Sequence, residues 1–170
     1  YIGSFTFSSC KSLTYVVIPD SVEYIGEAAF SECSSLTNVV IPNSITKINF
    51  NTFCECKSLK GITIPDSVKY IGRSSFSGCS SLTEVNFSES VKVIKENAFC
   101  DCTSLQNIII PSKVTKIRSY TFCDCTSLSN VTIPETVKEI SYAAFEGCSS
   151  LKRVNIPKTI QKIGFHSFPS

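Results

Sequence analysis

The sequence predicts a repeat solenoid: a β-rich right-handed superhelix with one parallel sheet, short 3₁₀ or extended returns and little α-helix. Three observations predict it. A period of 23 residues runs through the whole chain without insertion or deletion. Each period has room for one short strand but not for a full crossover helix. The apolar residues return to the same slots in every period, which is what stacked repeats need to share a core. One domain, residues 1–170, follows, with turns starting at 2, 25, 48, 71, 94, 117 and 140 and a partial turn from 163.

The first slot of each turn is Ile2, Ile25, Ile48, Ile71, Ile94, Ile117, Ile140 and Ile163. Five positions later stands Phe7, Phe30, Phe53, Phe76, Phe99, Phe122, Phe145 or Phe168, each behind a small residue such as Ala29 or Ser75 that leaves space beside the ring. The ninth slot is Cys10, Cys33, Cys56, Cys79, Cys102, Cys125 and Cys148, followed by a Ser-Leu pair that accounts for every leucine in the chain. Then comes Leu13-x-x-Val16-x-Ile18 and its six copies, closed by Pro in every turn except the fourth, where Ser88 follows Phe87. The span from Leu to Pro predicts a strand of about five residues, because its last apolar pair has spacing two and Pro removes the donor that would continue it. Strands recurring once per turn with no hairpin signal pair in parallel, and at roughly 4.8 Å per strand seven of them make a sheet about 30 Å across. From Ser21 to the next Ser-Leu pair the inward spacing Ile25, Phe30, Cys33 predicts an extended piece and then a tight helical or 3₁₀ turn.

The pattern Leu-x-x-Val-x-Ile-Pro-x-Ser-Val-x-x-Ile-Gly-x-x-Ala-Phe-x-x-Cys-x-Ser-Leu, best seen from Leu13 to Leu36, resembles the BspA-like, or treponemal, class of leucine-rich repeats. The resemblance covers the whole chain. Its departures are small. Gly3, Gly26, Gly72 and Gly164 give way to Asn49, Lys95, Arg118 and Ser141 in the other turns, so that slot does not strictly require positive φ. The Asn ladder of commoner leucine-rich repeats is replaced by Ser21, Ser44, Ser67, Ser90, Lys113, Thr136 and Thr159. The resemblance implies a surface or secreted protein of a bacterium or protozoan, with a role in adhesion to host proteins, matrix or other cells.

Composition bounds the alternatives. Sixteen basic against fourteen acidic residues leave a net charge of +2, far from the basic excess a nucleic-acid partner needs. No apolar run approaches the eighteen or so residues of a membrane span, and the opening Tyr1-Ile2-Gly3 is no leader. Because the repeat pattern is cut at both ends, the chain is expected to be a fragment of a longer protein, and its compartment does not follow from these residues.

Ten cysteines invite a metal or disulfide reading, sharpened by Cys54-x-Cys56, Cys100-x-Cys102 and Cys123-x-Cys125. The ninth-slot cysteines share the inward phase of Ile and Phe. Cys54, Cys100 and Cys123 instead align with Ser8, Ser31, Ser77 and Glu146, residues of a wet surface, so the two sets should point apart and no metal site is expected. A buried column of free thiols is the reading adopted; a Cys100–Cys123 bond in an oxidising setting stays open. Catalytic material is nearly absent. The one histidine, His166, lies in the partial last turn, and neither catalytic residue nor cofactor is expected. Acids in the slot after Pro, or after Ser88 in the fourth turn (Asp20, Asp66, Glu89, Glu135), and lysines near the close of each turn (Lys47, Lys69, Lys92, Lys116, Lys138, Lys162) make stripes that read as solvated edges, with a basic surface for acidic glycans or anionic lipid as the alternative.

The outward slots of the strand vary where the core slots do not. They carry Tyr15 and Val17, Asn38 and Val40, Gly61 and Thr63, Glu84 and Asn86, Asn107 and Ile109, Asn130 and Thr132, Arg153 and Asn155. Amides dominate, with an apolar group at Tyr15, Val17 and Val40 and an isolated Ile109, a mixture suited to protein recognition. The sequence therefore predicts a non-enzymatic module binding a protein, whether host or matrix, or a glycan, through this face. An intracellular scaffold is the alternative, favoured by unpaired cysteines.

Overall fold

The strand predicted after each leucine forms after the first six of the seven in the computed structural model, which describes residues 1–169, but it is shorter than five residues. In chain order the strands are β1 (Tyr15–Val17), β2 (Asn38–Val40), β3 (Lys47–Ile48), β4 (Gly61–Thr63), β5 (Tyr70–Ile71), β6 (Glu84–Asn86), β7 (Val93–Ile94), β8 (Asn107–Ile109), β9 (Lys116–Ile117), β10 (Asn130–Thr132), β11 (Glu139–Ile140) and β12 (Lys162–Ile163). Every pairing is parallel and in the register of the repeat, Val16 beside Val39, Ile62 beside Val85 and Ile108 beside Val131.

Two differences from the expected single sheet stand out. The strands after leucine pair as β1–β2, β4–β6 and β8–β10 rather than as one ladder, and between β2 and β4 a single bond, Lys60 N to Thr37 O (3.4 Å), links neighbouring pairs. The extended piece before each first-slot isoleucine makes a second strand face of its own, β3–β5–β7 and β9–β11–β12. Its rungs continue through the second slot whatever the residue: Gly72 N gives to Ile48 O (2.8 Å), Lys95 N to Ile71 O (3.0 Å) and Ser141 N to Ile117 O (2.8 Å). None of the second-slot glycines has positive φ. Gly72 is there because a Cβ would sit 2.6 Å from the Asn49 carbonyl carbon of the turn beneath. Asn49, which does carry one, turns its amide inward and gives Nδ2 to Ile25 O at 2.6 Å.

The return is not a 3₁₀ segment. Its fourth and eighth slots are left-handed in turn after turn, as at Ala28 (φ 51°) and Glu32 (φ 60°), Asn51 (53°) and Glu55 (60°), Asn97 (60°) and Asp101 (59°). A 3₁₀ run needs unbroken right-handed φ. Here the reversals split the amides into two sets. Slots four, six and eight donate to the following turn (Ala28 N to Phe50 O, 2.8 Å; Phe30 N to Thr52 O, 2.9 Å; Glu32 N to Cys54 O, 2.7 Å). The intervening ones close tight bends inside their own turn, as Ser31 N does to Ala28 O (3.1 Å) and Cys33 N to Phe30 O (3.3 Å). Strand-like pairing thus reaches a third side of the solenoid, and each backbone donor named here has an acceptor. Left-handed geometry costs a Cβ-bearing residue about 1–2 kcal/mol. Gly78 (φ 74°) avoids it, and a Cβ there would also meet the Glu55 carboxylate. Gly78→Ala is expected to lose about 1–2 kcal/mol in urea denaturation, and Glu32→Gly, exposed and at the same slot, to gain stability; equal midpoints for the two variants would show that no strain is stored there.

Inside, equivalent residues lie over one another. The eight phenylalanines from Phe7 to Phe168 form one stack with centroids 5.2–5.7 Å apart and rings within 3–13° of parallel. Phe87, in the turn that lacks Ile-Pro, meets Phe99 edge-on at 5.6 Å. The ninth-slot thiols do more than fill space. Each from Cys33 onward gives its hydrogen to the Phe carbonyl of the preceding turn, as Cys56 Sγ does to Phe30 O (3.2 Å), Cys79 to Phe53 O (3.2 Å), Cys102 to Phe76 O (3.3 Å) and Cys125 to Phe99 O (3.2 Å). That oxygen already takes the amide of its own turn's cysteine, so the column satisfies its second lone pair. Beside the rings, Thr52 and Thr121 return their hydroxyls to Asn49 O (2.9 Å) and Arg118 O (2.8 Å). Ser75 Oγ, fully buried in the same column, has no partner. Ser75→Ala, the residue used at positions 29, 98 and 144, is expected to raise stability by about 1 kcal/mol; a lower midpoint in urea would show that the hydroxyl is satisfied after all.

Candidate functional site

The alternation of the first strand face places the variable side chains where they can be read. Val39, Ile62 and Ile108 point into the core, and their neighbours Asn38, Val40, Thr63, Asn107 and Ile109 are exposed. Val17 (64 %) and Ile109 (66 %) are as open to solvent as surface lysines, and Tyr15 and Val40 complete an apolar group at the β1–β2 pair. Asn130 gives Nδ2 to Asn107 Oδ1 (2.7 Å) and to Ser129 Oγ (3.1 Å), so part of the amide row is tied together rather than free. Arg153 and Asn155 are exposed, but the seventh strand expected to carry them does not form; Lys152 to Ile156 lie outside any ladder. Their side chains are therefore not held in the register of the other outward pairs.

The face is not flat. A hollow of about 540 Å³ opens over β2, β4 and β6, where Gly61 supplies no side chain. Glu84 of the next turn lies across that gap, with Cγ and Oε1 3.2 and 3.3 Å from where a Gly61 Cβ would be. Val40 and Thr63 wall the hollow, and Thr37 and Lys60 edge it. The sequence names Gly61, Thr63 and Glu84 through their slots but passes over Thr37 and Lys60, which sit one position before the outward pairs and also line the hollow. A smaller hollow of about 380 Å³ follows between β6 and β8, lined by Asn86, Asn107 and Ile109.

Elsewhere the candidate chemistry is quiet. Cys54, Cys100 and Cys123 are not surface residues: Cys100 and Cys123 are buried and Cys54 half-buried, because the tight bend tucks the seventh slot under the next turn. Cys100 Sγ faces Asp101 Oδ2 (3.4 Å) and Cys123 Sγ faces Asp124 Oδ2 (3.3 Å), and all ten cysteines are free thiols. Burial, then the Asp101 carboxylate, pushes the Cys100 thiol up to about 12; burial and Glu55 push Cys54 to about 11. Such thiols are poor nucleophiles. His166 is exposed and stands edge-on to Tyr142 (5.9 Å), which in turn meets Tyr120 (5.4 Å); this aromatic row, with exposed Phe165, has no counterpart in the other turns and is not visible as a pattern in the sequence. The charged stripes are cross-linked between turns. Glu139 holds Lys116 (3.0 Å) and Lys162 (3.3 Å), its carboxyl kept below the usual range by the Lys116 hydrogen bond, and Glu96 holds Arg118 (3.2 Å).

A family model described as the BspA type leucine rich repeat region matches residues 1–128 and 46–170, in six copies. The chain belongs to this BspA-type family. Solved structures agree with the assignment. A leucine-rich repeat protein of Treponema pallidum is 35% identical with TM-score 0.83, the match covering 88% of this chain and 70% of that one. Leucine-rich repeat proteins of Eubacterium ventriosum (29% identical, TM-score 0.85) and Bacteroides ovatus (29%, 0.75) match 92% and 96% of this chain, which spans only 42% and 49% of theirs. No curated protein matches. BspA-type repeats are protein-interaction modules and are typically non-enzymatic. Among the described residues, no helix is long and apolar enough to cross a membrane, and no group of three or more His, Cys, Asp or Glu is placed to hold a metal.

Proposed function

We propose that this BspA-type chain is the recognition segment of a surface or secreted protein, engaging a host, matrix or cell-surface protein through its first strand face. The observation that carries the reading is the contrast between the two sides of each strand. Inward residues repeat almost unchanged, whereas every rung presents a different outward pair, so the face has local chemistry that stacking alone does not demand. The exposed group of Tyr15, Val17 and Val40 supplies the apolar anchor that such interfaces centre on. A glycan partner would use the same face through its amides. The test is attachment of host cells and of immobilised matrix proteins to the chain. Val17→Asp with Val40→Asp is expected to reduce attachment tenfold or more, while Glu23→Lys, away from the face, leaves it unchanged; indifference to the paired change would remove the first strand face from the mechanism.

Ten free thiols favour a second reading, an intracellular scaffold that binds a protein partner in a reducing compartment. Fractionation of the source cell separates the two.

A further inference from the structure

Among the outward slots, Gly61 is the only glycine and Glu84 the only acid, and the repeat sets them side by side. The consequence is a carboxylate laid over bare backbone at the floor of a hollow of about 540 Å³. Glu84 makes neither ion pair nor hydrogen bond within the described residues, whereas Glu55, Glu96 and Glu139 are each held by a cation. Val40 and Thr63 line the hollow, and because Gly61 has no side chain the Glu84 stem and carboxylate rest against its backbone. A side chain with an aliphatic stem and a planar cationic head fits these features together: the stem on Val40 and two N–H groups on the Glu84 oxygens.

We propose that the hollow between β2 and β6 is a recognition pocket for an arginine side chain presented by a partner protein. The pocket deepens the functional reading above, and rests on it only for the partner being a protein. Lys60 is the one cation lining the pocket; it opposes the guest and sets the sign of one test.

The probe is N-acetyl-arginine amide, titrated into the ¹⁵N-labelled chain and followed by amide shifts, with N-acetyl-aspartate amide as the opposite charge. Saturable shifts centred on Gly61, Thr63 and Glu84 are expected, with a dissociation constant in the millimolar range suited to so small a ligand. Glu84→Gln is expected to weaken binding about tenfold, the loss typical of a charge-assisted pair, and Lys60→Gln to tighten it. Gly61→Ala is backbone-compatible, since φ there is not left-handed, and its methyl displaces the Glu84 stem; it too is expected to weaken binding. Shifts scattered over the surface, equal response to the aspartate amide, or full affinity in Glu84→Gln would overturn the pocket. Its fate is separable from that of the surface reading: saturation here with attachment indifferent to Val17→Asp and Val40→Asp leaves the pocket standing and the attachment role fallen.

Discussion

Alkali is expected to unfold this solenoid within about a unit above the ordinary thiol pKa. Cys56, Cys79, Cys102 and Cys125 are fully buried and burial drives the first three of them, with the Cys148 thiol leading at Cys125, well above the ordinary value of 9.0. The sign follows from which state ionises first. Below pH 9 both states keep the proton and the thiols leave stability unchanged; above it the unfolded chain loses protons that the folded chain holds, so stability falls as pH rises toward the folded pKa. Each such thiol removes about 1.4 kcal/mol by pH ~10, and four together about 5–6 kcal/mol. Domains of this size are stable by roughly 5–15 kcal/mol. Circular dichroism against pH in the presence of reductant should show a cooperative loss of structure near pH 10, and replacing the four cysteines by alanine should flatten the dependence. An unchanged pH profile in that variant would assign the loss to groups other than this buried column: the remaining thiols, tyrosine or lysine.

Phe76→Ser is expected to cost about 4 kcal/mol or more, combining the large-to-small loss of a buried aromatic with a hydroxyl left without a partner. Its ring lies between Phe53 at 5.4 Å and Phe99 at 5.2 Å, and Cys102 donates to its carbonyl, so the substitution interrupts a column from which neighbouring turns draw their burial. Phe7, half-buried with one stacked neighbour, should cost less than half as much when changed to Ser. Urea denaturation of both variants decides the matter. Equal losses at the two positions would mean that turns are stabilised one by one and that stacking adds little.

Much of this was legible because the repeat reports its own geometry. Columns of Ile, Phe, Cys and Leu can be read from spacing alone, and they stack as spacing predicts. What spacing does not carry is backbone sign. Asn51, Asn97, Asp101, Asp124, Gly78 and Gly147 are types that tolerate left-handed φ, but the same slots also hold Ala28, Glu32 and Tyr120, which favour the right-handed region, so the return read as 3₁₀. The same omission misplaced Cys100 and Cys123. Periodic alignment with Ser31 and Glu146 suggested solvent, but the reversed bend turns that slot beneath the next coil. On the strand face the slots identify who points outward. The free carboxylate of Glu84 over Gly61, and the loss of the ladder before Arg153, depend on neighbours one coil away.

The amides of the third side that bond between coils give to the coil that follows them, never to the one before. Any stack of such coils therefore has unlike ends along this edge, with hydrogens offered on one rim and oxygens on the other. A further coil can be added at either rim only in the same sense of travel, and two stacks can join there head to tail but not head to head. Directionality is written into the peptide groups, and does not depend on which side chains decorate the rungs.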